Sequence, residues 1–240
     1  LLVVIAIITL LVALLLPALG KARDAARLAI CGANLHSNAQ SLILYSHDYR
    51  DYLTLGYKGT NSRPNGFRQY NYQLGLNNAP QGALAYLYNA GMMASPSVWF
   101  CPAQRHEFFQ FNSPQNKWFG PGATGNIRTG YGVRPVARFS GASLVNDIPL
   151  PRVVDMKGGE AIVADIVSHP YYVAFHHPPV ANVGHIDGSV NRINVSEHLG
   201  TAWQDLASIT PTGAYRGLDD TVMLNFPEEP AGGIWTAMDY

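Results

Sequence analysis

Charge is what this chain has least of. Only 13% of its 240 residues are Asp, Glu, Lys or Arg, about half the usual share of a soluble protein, and residues 1–20 carry none at all. Sixteen basic and sixteen acidic side chains cancel to a formal net charge of zero. The long-range repulsion that keeps soluble monomers apart is therefore missing, and the surface tolerates self-association. No cluster of Lys and Arg is present that could neutralise a run of phosphates, so nucleic-acid binding has no support. Cysteine is scarce: the two, Cys31 and Cys101, fit neither a zinc site, which takes paired ligands, nor haem attachment. One disulfide in an exported protein and two separate buried thiols both remain open. The nucleophile elbow Gly-x-Ser-x-Gly, the phosphate-binding loop and the dinucleotide fingerprint are all missing. Gly120-Pro121-Gly122 and Gly158-Gly159 read as turns. No internal repeat or low-complexity tract stands out.

What the chain has instead is an aliphatic start, interrupted only by Thr9, Pro17 and Gly20. As a helix, residues 1–19 would be roughly 28 Å long, about the thickness of a bilayer's hydrocarbon core. Leu and Ile occupy every face, so this helix requires lipid or other apolar helices all round. It could be a cleaved signal peptide, a permanent anchor, or a helix that leaves the membrane to pack among its own kind. No basic segment precedes the run, and no small-x-small cleavage site separates it from Lys21-Ala22-Arg23. It is expected to stay in the mature protein, with the processed N-terminus upstream of Leu1. By the positive-inside rule Lys21, Arg23 and Arg27 favour a cytoplasmic body for a simple anchor, in conflict with an exported one unless a leader carried more positive charge.

Pro17 is expected to kink or locally melt the helix, which a membrane tolerates. Beyond it, Ala22, Ala25, Ala26, Ala29, Leu35, Ala39, Leu42, Tyr45 and Tyr49 recur at steps of three or four. This half is amphipathic and is expected to pack on a globular head. The two halves together predict one helix of roughly 50 residues, near 75 Å, the alternative being a break at Pro17 or Gly32. The remainder is long enough for a core of its own. Residues 51–80 read as loop and 82–92 as a short helix. Val98-Trp99-Phe100-Cys101 reads as a strand-like run stopped by Pro102, placed so that Cys101 can meet Cys31 and tether head to stalk. Residues 103–129 read as loop, with Phe108, Phe109, Phe111, Trp118 and Phe119 forming a local core rather than a subunit contact or ligand platform. Strands are expected over 131–137, 160–167, 171–175, 182–186 and 189–195. The last two flank Asp187-Gly188, a tight-hairpin signal requiring positive φ at both central residues. A short helix is expected at 202–208.

Eight histidines raise the question of a metal, with His169, His176, His177 and His185 beside Asp165 and Asp187, or calcium at Asp219-Asp220. Asp187 is already accounted for by the hairpin, and a hydrogen bond from His177 that steadies the turn is the preferred reading. No metal, cofactor or catalytic residue is expected. Asn194-Val195-Ser196 is the one N-glycosylation acceptor pattern.

The run Leu-Leu-Val-Val-Ile-Ala-Ile-Ile, the segment Leu-Leu-Leu-Pro-Ala-Leu-Gly-Lys-Ala-Arg-Asp-Ala-Ala-Arg at 14–27, and Cys31-x-x-Asn34-Leu35 closely resemble the start of type IV pilin-like proteins. More narrowly, the chain resembles the pseudopilin-like family with a late His-x9-Asp-Gly motif, which His177, Asp187 and Gly188 match in spacing. The resemblance is strong over residues 1 to about 50 and moderate over 176–193. Family members carry a Phe-Thr-Leu-Ile-Glu-like segment before the apolar run, whose glutamate is thought to pair with a neighbour's amino terminus; this sequence starts after it. The resemblance implies an α+β fold in which the long N-terminal helix packs on an antiparallel sheet. It implies residues 1–20 as membrane and filament-core helix, 21–52 as its amphipathic continuation and 53–240 as head. It also implies a structural, non-enzymatic subunit of a type IV pilus-like or pseudopilus filament. Its partners would be copies of itself, the inner membrane before assembly, and the pilus or secretion machinery. The alternatives are a minor pseudopilin of a secretion system and a stalked, exported metal-binding hydrolase.

Overall fold

The computed structural model describes residues 1–54, 57–59, 73–76, 79–80, 83–93, 95–120, 127–134, 137–140, 143–144, 152–165, 180–194 and 197. The architecture is α+β. A single helix, α1 (Leu2–Asp48), runs unbroken for 47 residues, about 70 Å at 1.5 Å per residue. Pro17 lies inside it. Its ring removes one donor, the one that would serve the Ala13 carbonyl, yet the turns on either side carry the helix through. Gly32, the other expected break point, is also helical, and a Cβ there would lie 3.8 Å from the Asn182 side chain. The small residue sits where the helix runs close to the sheet.

The two halves of α1 differ in what surrounds them. Every residue from Leu1 to Ala26 is exposed. Burial begins in earnest at Cys31 and continues through Leu35, Asn38, Ala39, Leu42, Tyr45 and Ser46, one face of a 3.6-residue period. The helix ends without a glycine: Arg50 and Asp51 take φ of 56° and 67°, and the Asp51 N–H donates to the Ser46 carbonyl at 2.8 Å. That left-handed pair is held by neighbours, since Arg152 reaches the Asp51 carboxylate at 2.6 Å and the Val153 N–H donates to the Asp51 carbonyl at 2.7 Å.

The strands follow in chain order as β1 (Tyr57–Gly59), β2 (Gln73–Leu76), β3 (Ala79–Pro80), β4 (Ile127–Arg128), β5 (Tyr131–Val133), β6 (Ala137–Ser140), β7 (Ser143–Leu144), β8 (Ala161–Asp165), β9 (Val180–His185) and β10 (Val190–Asn194). The principal sheet, ordered β10-β9-β8-β5, is antiparallel throughout and packs against α1. Two small sheets accompany it, β3-β2-β4 and β1-β6-β7, and in the second β1 and β6 run parallel. A short helix, α2 (Ala83–Asn89), packs on β2 and buries Leu84 and Leu87 with Leu74.

Several local expectations need correction. Segment 51–80 contains strands. The run at 98–101 is not a strand: Pro96–Trp99 forms a 3-10 turn, and only Phe100 beyond it is extended, because Pro96 presets φ for a turn. The 131–137 strand is two, β5 ending at Val133 and β6 starting at Ala137 in another sheet. Within 103–129, Phe109 is fully buried in a 3-10 turn. Trp118 and Phe119 pack on Tyr88 and Phe111 on Phe100 at 5.1 Å. This is a local core with one exposed edge. The expected strand at 171–175 and helix at 202–208 lie outside the described residues.

The hairpin between β9 and β10 is where expected but is built differently. His185 and Ser189 close it through the His185 N–H and the Ser189 carbonyl at 2.9 Å, and the Gly188 N–H donates to the His185 carbonyl at 2.9 Å. Three residues therefore form the loop, and only Gly188 has positive φ, 83°. Asp187 occupies a right-handed turn position, as in a type I turn followed by a left-handed glycine. Its carboxylate accepts from the Ser189 N–H at 2.8 Å.

Gly184 on β9 is hemmed in from two sides: a Cβ there would lie 2.9 Å from Val163 Cγ1 of the neighbouring β8 and 3.4 Å from Ala39 Cβ of α1. Gly184→Val should therefore lower stability by about 1–3 kcal/mol, the usual result of overpacking. Gly132→Ala, where a Cβ meets nothing within 4 Å, should be nearly neutral. Denaturant unfolding of the two variants checks this; equal losses would show that the approach at Gly184 is not tight.

Candidate assembly surface and the seam behind it

Residues 1–20 form one continuous apolar surface. Leu2, Ile5, Ile8, Leu11, Leu15 and Leu19 are each more than half exposed, and no eighteen-residue window of this part is buried in the head. The helix is long and apolar enough to cross a membrane. Thr9 turns its hydroxyl back on the helix, donating to the Ile5 and Ala6 carbonyls at 2.8 and 2.9 Å. The one side-chain hydroxyl in this stretch is thus satisfied without water, which suits lipid or a packed bundle equally. The first basic residues, Lys21 and Arg23, come only where the run ends.

Stalk and head join along a seam on α1. Cys31 and Cys101 form a disulfide, Cα to Cα 4.9 Å, closing a separation of 70 residues. One turn on, the Asn34 side-chain amide donates to the Phe100 carbonyl at 3.2 Å, and one turn further Asn38 donates to the Val98 carbonyl at 3.2 Å. The spacing 31, 34, 38 puts all three on one helix face, and they grip three positions of a segment that has no sheet partner to satisfy its carbonyls. The Tyr131 hydroxyl, fully buried, donates to the Cys31 carbonyl at 3.1 Å. Burial, reinforced by the Asp165 carboxylate, holds that phenol's pKa well above its usual value, so it remains a donor. On the chain-entropy account a loop of this size makes the disulfide worth about 4 kcal/mol.

A second clasp fixes the hairpin. His36 Nδ1 lies 2.7 Å from the Gly188 carbonyl, and the Gln40 amide donates to His36 Nε2 at 2.9 Å. Because Gln40 supplies the hydrogen at Nε2, the ring proton sits on Nδ1 and is donated to Gly188. Neither His36 nor Gln40 was singled out from sequence; their i, i+4 spacing on an exposed face carried no signal of a distant partner. His177, expected beside Asp187, lies outside the described residues, as do His169, His176, Asp219 and Asp220. Asp165 and His185, grouped in the metal reading, are separated: His185 pairs with Ala161 at the opposite end of β8 from Asp165, roughly 13 Å along the strand. Asp165 accepts instead from the Asn182 backbone and side-chain amides at 2.6 and 2.9 Å. Among the described residues no three His, Cys, Asp or Glu side chains are placed to hold a metal ion.

No protein-family model, characterised protein or solved structure matches this chain.

Asn38 is fully buried, so Asn38→Ala should cost about 1–3 kcal/mol by leaving the Val98 carbonyl without its donor, measured by thermal or denaturant unfolding. A change below a few tenths would show that the contact is dispensable. His106 supplies a pH dependence. Its Nδ1 accepts from the Phe108 N–H at 3.3 Å; burial lowers its pKa below 6.5, Arg128 adding to this and Glu107 opposing it. The unfolded chain therefore binds the proton more tightly. The contribution is complete above the ordinary histidine value and is lost as pH falls below 6.5. His106→Gln should flatten the fall in stability between about pH 7 and 5; an unchanged slope would remove His106 as its source.

Proposed function

We propose that this protein is a pilin-like structural subunit, held in the inner membrane by residues 1–20 and then assembled into a helical filament at the cell surface whose centre is a bundle of those same segments. The observation that carries this reading is the division of α1: one half is the spine of the head, while residues 1–20 are exposed throughout and apolar on every face. A helix that only anchors needs no rigid continuation into the head. One that must set each head at a fixed position around a common axis does, and α1 runs through Pro17 and Gly32 without a break. The formal net charge of zero fits close packing of many copies. Relative to lipid, burying aliphatic surface in a bundle gains little, so close side-chain packing must hold the filament together. The head would coat the outside.

Electron microscopy of sheared surface material from cells exporting the full chain tests this. Filaments with residues 1–26 at their centre are the expected result. Single molecules only, with the segment embedded in detergent, would overturn it in favour of a simple anchor. Ile8→Lys should abolish fibres by placing a charge in the apolar column. The head should retain its unfolding midpoint, since residue 8 makes no contact with it.

A further inference from the structure

The disulfide lies where a pull on the stalk would first reach the head. From Leu1 to Ala26 every residue of α1 is exposed, Arg27 and Leu28 are half-buried, and Cys31 is the first fully buried residue. A force directed away from the head peels a helix from its edge, so the outermost contact carries the load before the inner ones share it. The next contacts inward, the buried side chain of Leu35 and single amide hydrogen bonds from Asn34 and Asn38 at 3.2 Å, are non-covalent and can give way one at a time. We propose that the Cys31–Cys101 bridge is a peel-stop, a covalent clamp that keeps the stalk from separating from the head turn by turn.

The far side of the clamp is braced. The Gly130 N–H donates to the Trp99 carbonyl at 2.8 Å, and the backbones approach so closely that a Cβ on Gly130 would lie 2.7 Å from the Cys101 nitrogen. Gly130 leads directly into β5, which pairs with β8 in the principal sheet. Tyr131, the first residue of β5, reaches back to the Cys31 carbonyl. Load arriving at Cys31 passes through Cys101 into β5, the edge strand of the principal sheet, and from there into β8. Both cysteines are buried, at 0% and 2% exposure, so the clamp sits within the packed join between helix and head. The clamp rests on the filament reading only for the source of the pull; its own effect can be measured on single chains.

Hydrogen exchange followed by mass spectrometry tests the clamp on the full chain in detergent micelles that cover residues 1–26. The oxidised protein is compared with the same protein reduced by a water-soluble phosphine. That reaction breaks the S–S bond, takes two protons and an oxygen from water, and yields two thiols and the phosphine oxide. On reduction, protection over residues 31–38 and 98–101 should fall by about tenfold or more, while β8, β9 and residues 42–46 change by less than about threefold, the pattern of local opening. A uniform fall would show that the bond only stabilises the whole fold, and no change would show that it bears nothing; either overturns the proposal. Asn34→Ala with the bond intact guards against a reduced protein that fails to fold. Its protection should stay within about threefold of the parent, and a loss over residues 31–38 with the bridge closed would make the polar contacts the stop. Filaments seen with no local opening would sink the clamp and leave the filament reading standing. Local opening with no filaments would do the reverse.

Discussion

One helix in this protein must satisfy two surroundings, and the rest of the molecule follows from that constraint. Its C-terminal half is the spine on which the head condenses: Leu35, Ala39 and Leu42 point into the core, each leucine contributing about 1.5–3 kcal/mol by leaving water. Its N-terminal half is exposed throughout among the described residues. The head buries one face of α1 from Cys31 to Ser46, roughly 22 Å of a helix of about 70 Å. The excess helix must find apolar cover in lipid or among other copies.

The seam between the two regimes is made of polar contacts and one covalent bond rather than more hydrophobic surface. Segments 96–101 and 103–120 contain little regular structure, so their carbonyls lack ladder partners, and asparagines take that role. Asn34 and Asn38 serve Phe100 and Val98. Asn116, buried, donates to the carbonyls of Gln110 and Arg128 and accepts from the Arg128 N–H at 2.9 Å, copying a strand partner with a side chain. Buried backbone groups must be paired, and in a head with so few charges and such short strands the amide side chain is the available means.

The apolar column, the helical period after it, the short helix near 83, the location of the late hairpin and the possibility of a bond between Cys31 and Cys101 were all legible in the chain, because each depends on local pattern. What was not legible depended on partners remote in sequence. The run at 98–101 read as a strand from its composition, although Pro96 and the edge of α1 made it a turn and an extended tail. Asp187-Gly188 read as a two-residue turn, whereas His185 and Ser189 closed a three-residue one. His36, whose partner is 152 residues away, gave no local sign of its role.

Residue order alone therefore determined the long helix, its apolar half and the requirement that something outside the chain cover it, since these follow from a 3.6-residue period and the transfer of aliphatic side chains out of water. Tertiary structure alone decided where burial starts, at Cys31, and that the stalk is fastened there by a bond and two amides. It also decided which groups meet across the sheet, placing Asp165 with Asn182 and apart from His185. Register and close approach are set by steric fit between distant segments, and no period within either segment encodes them.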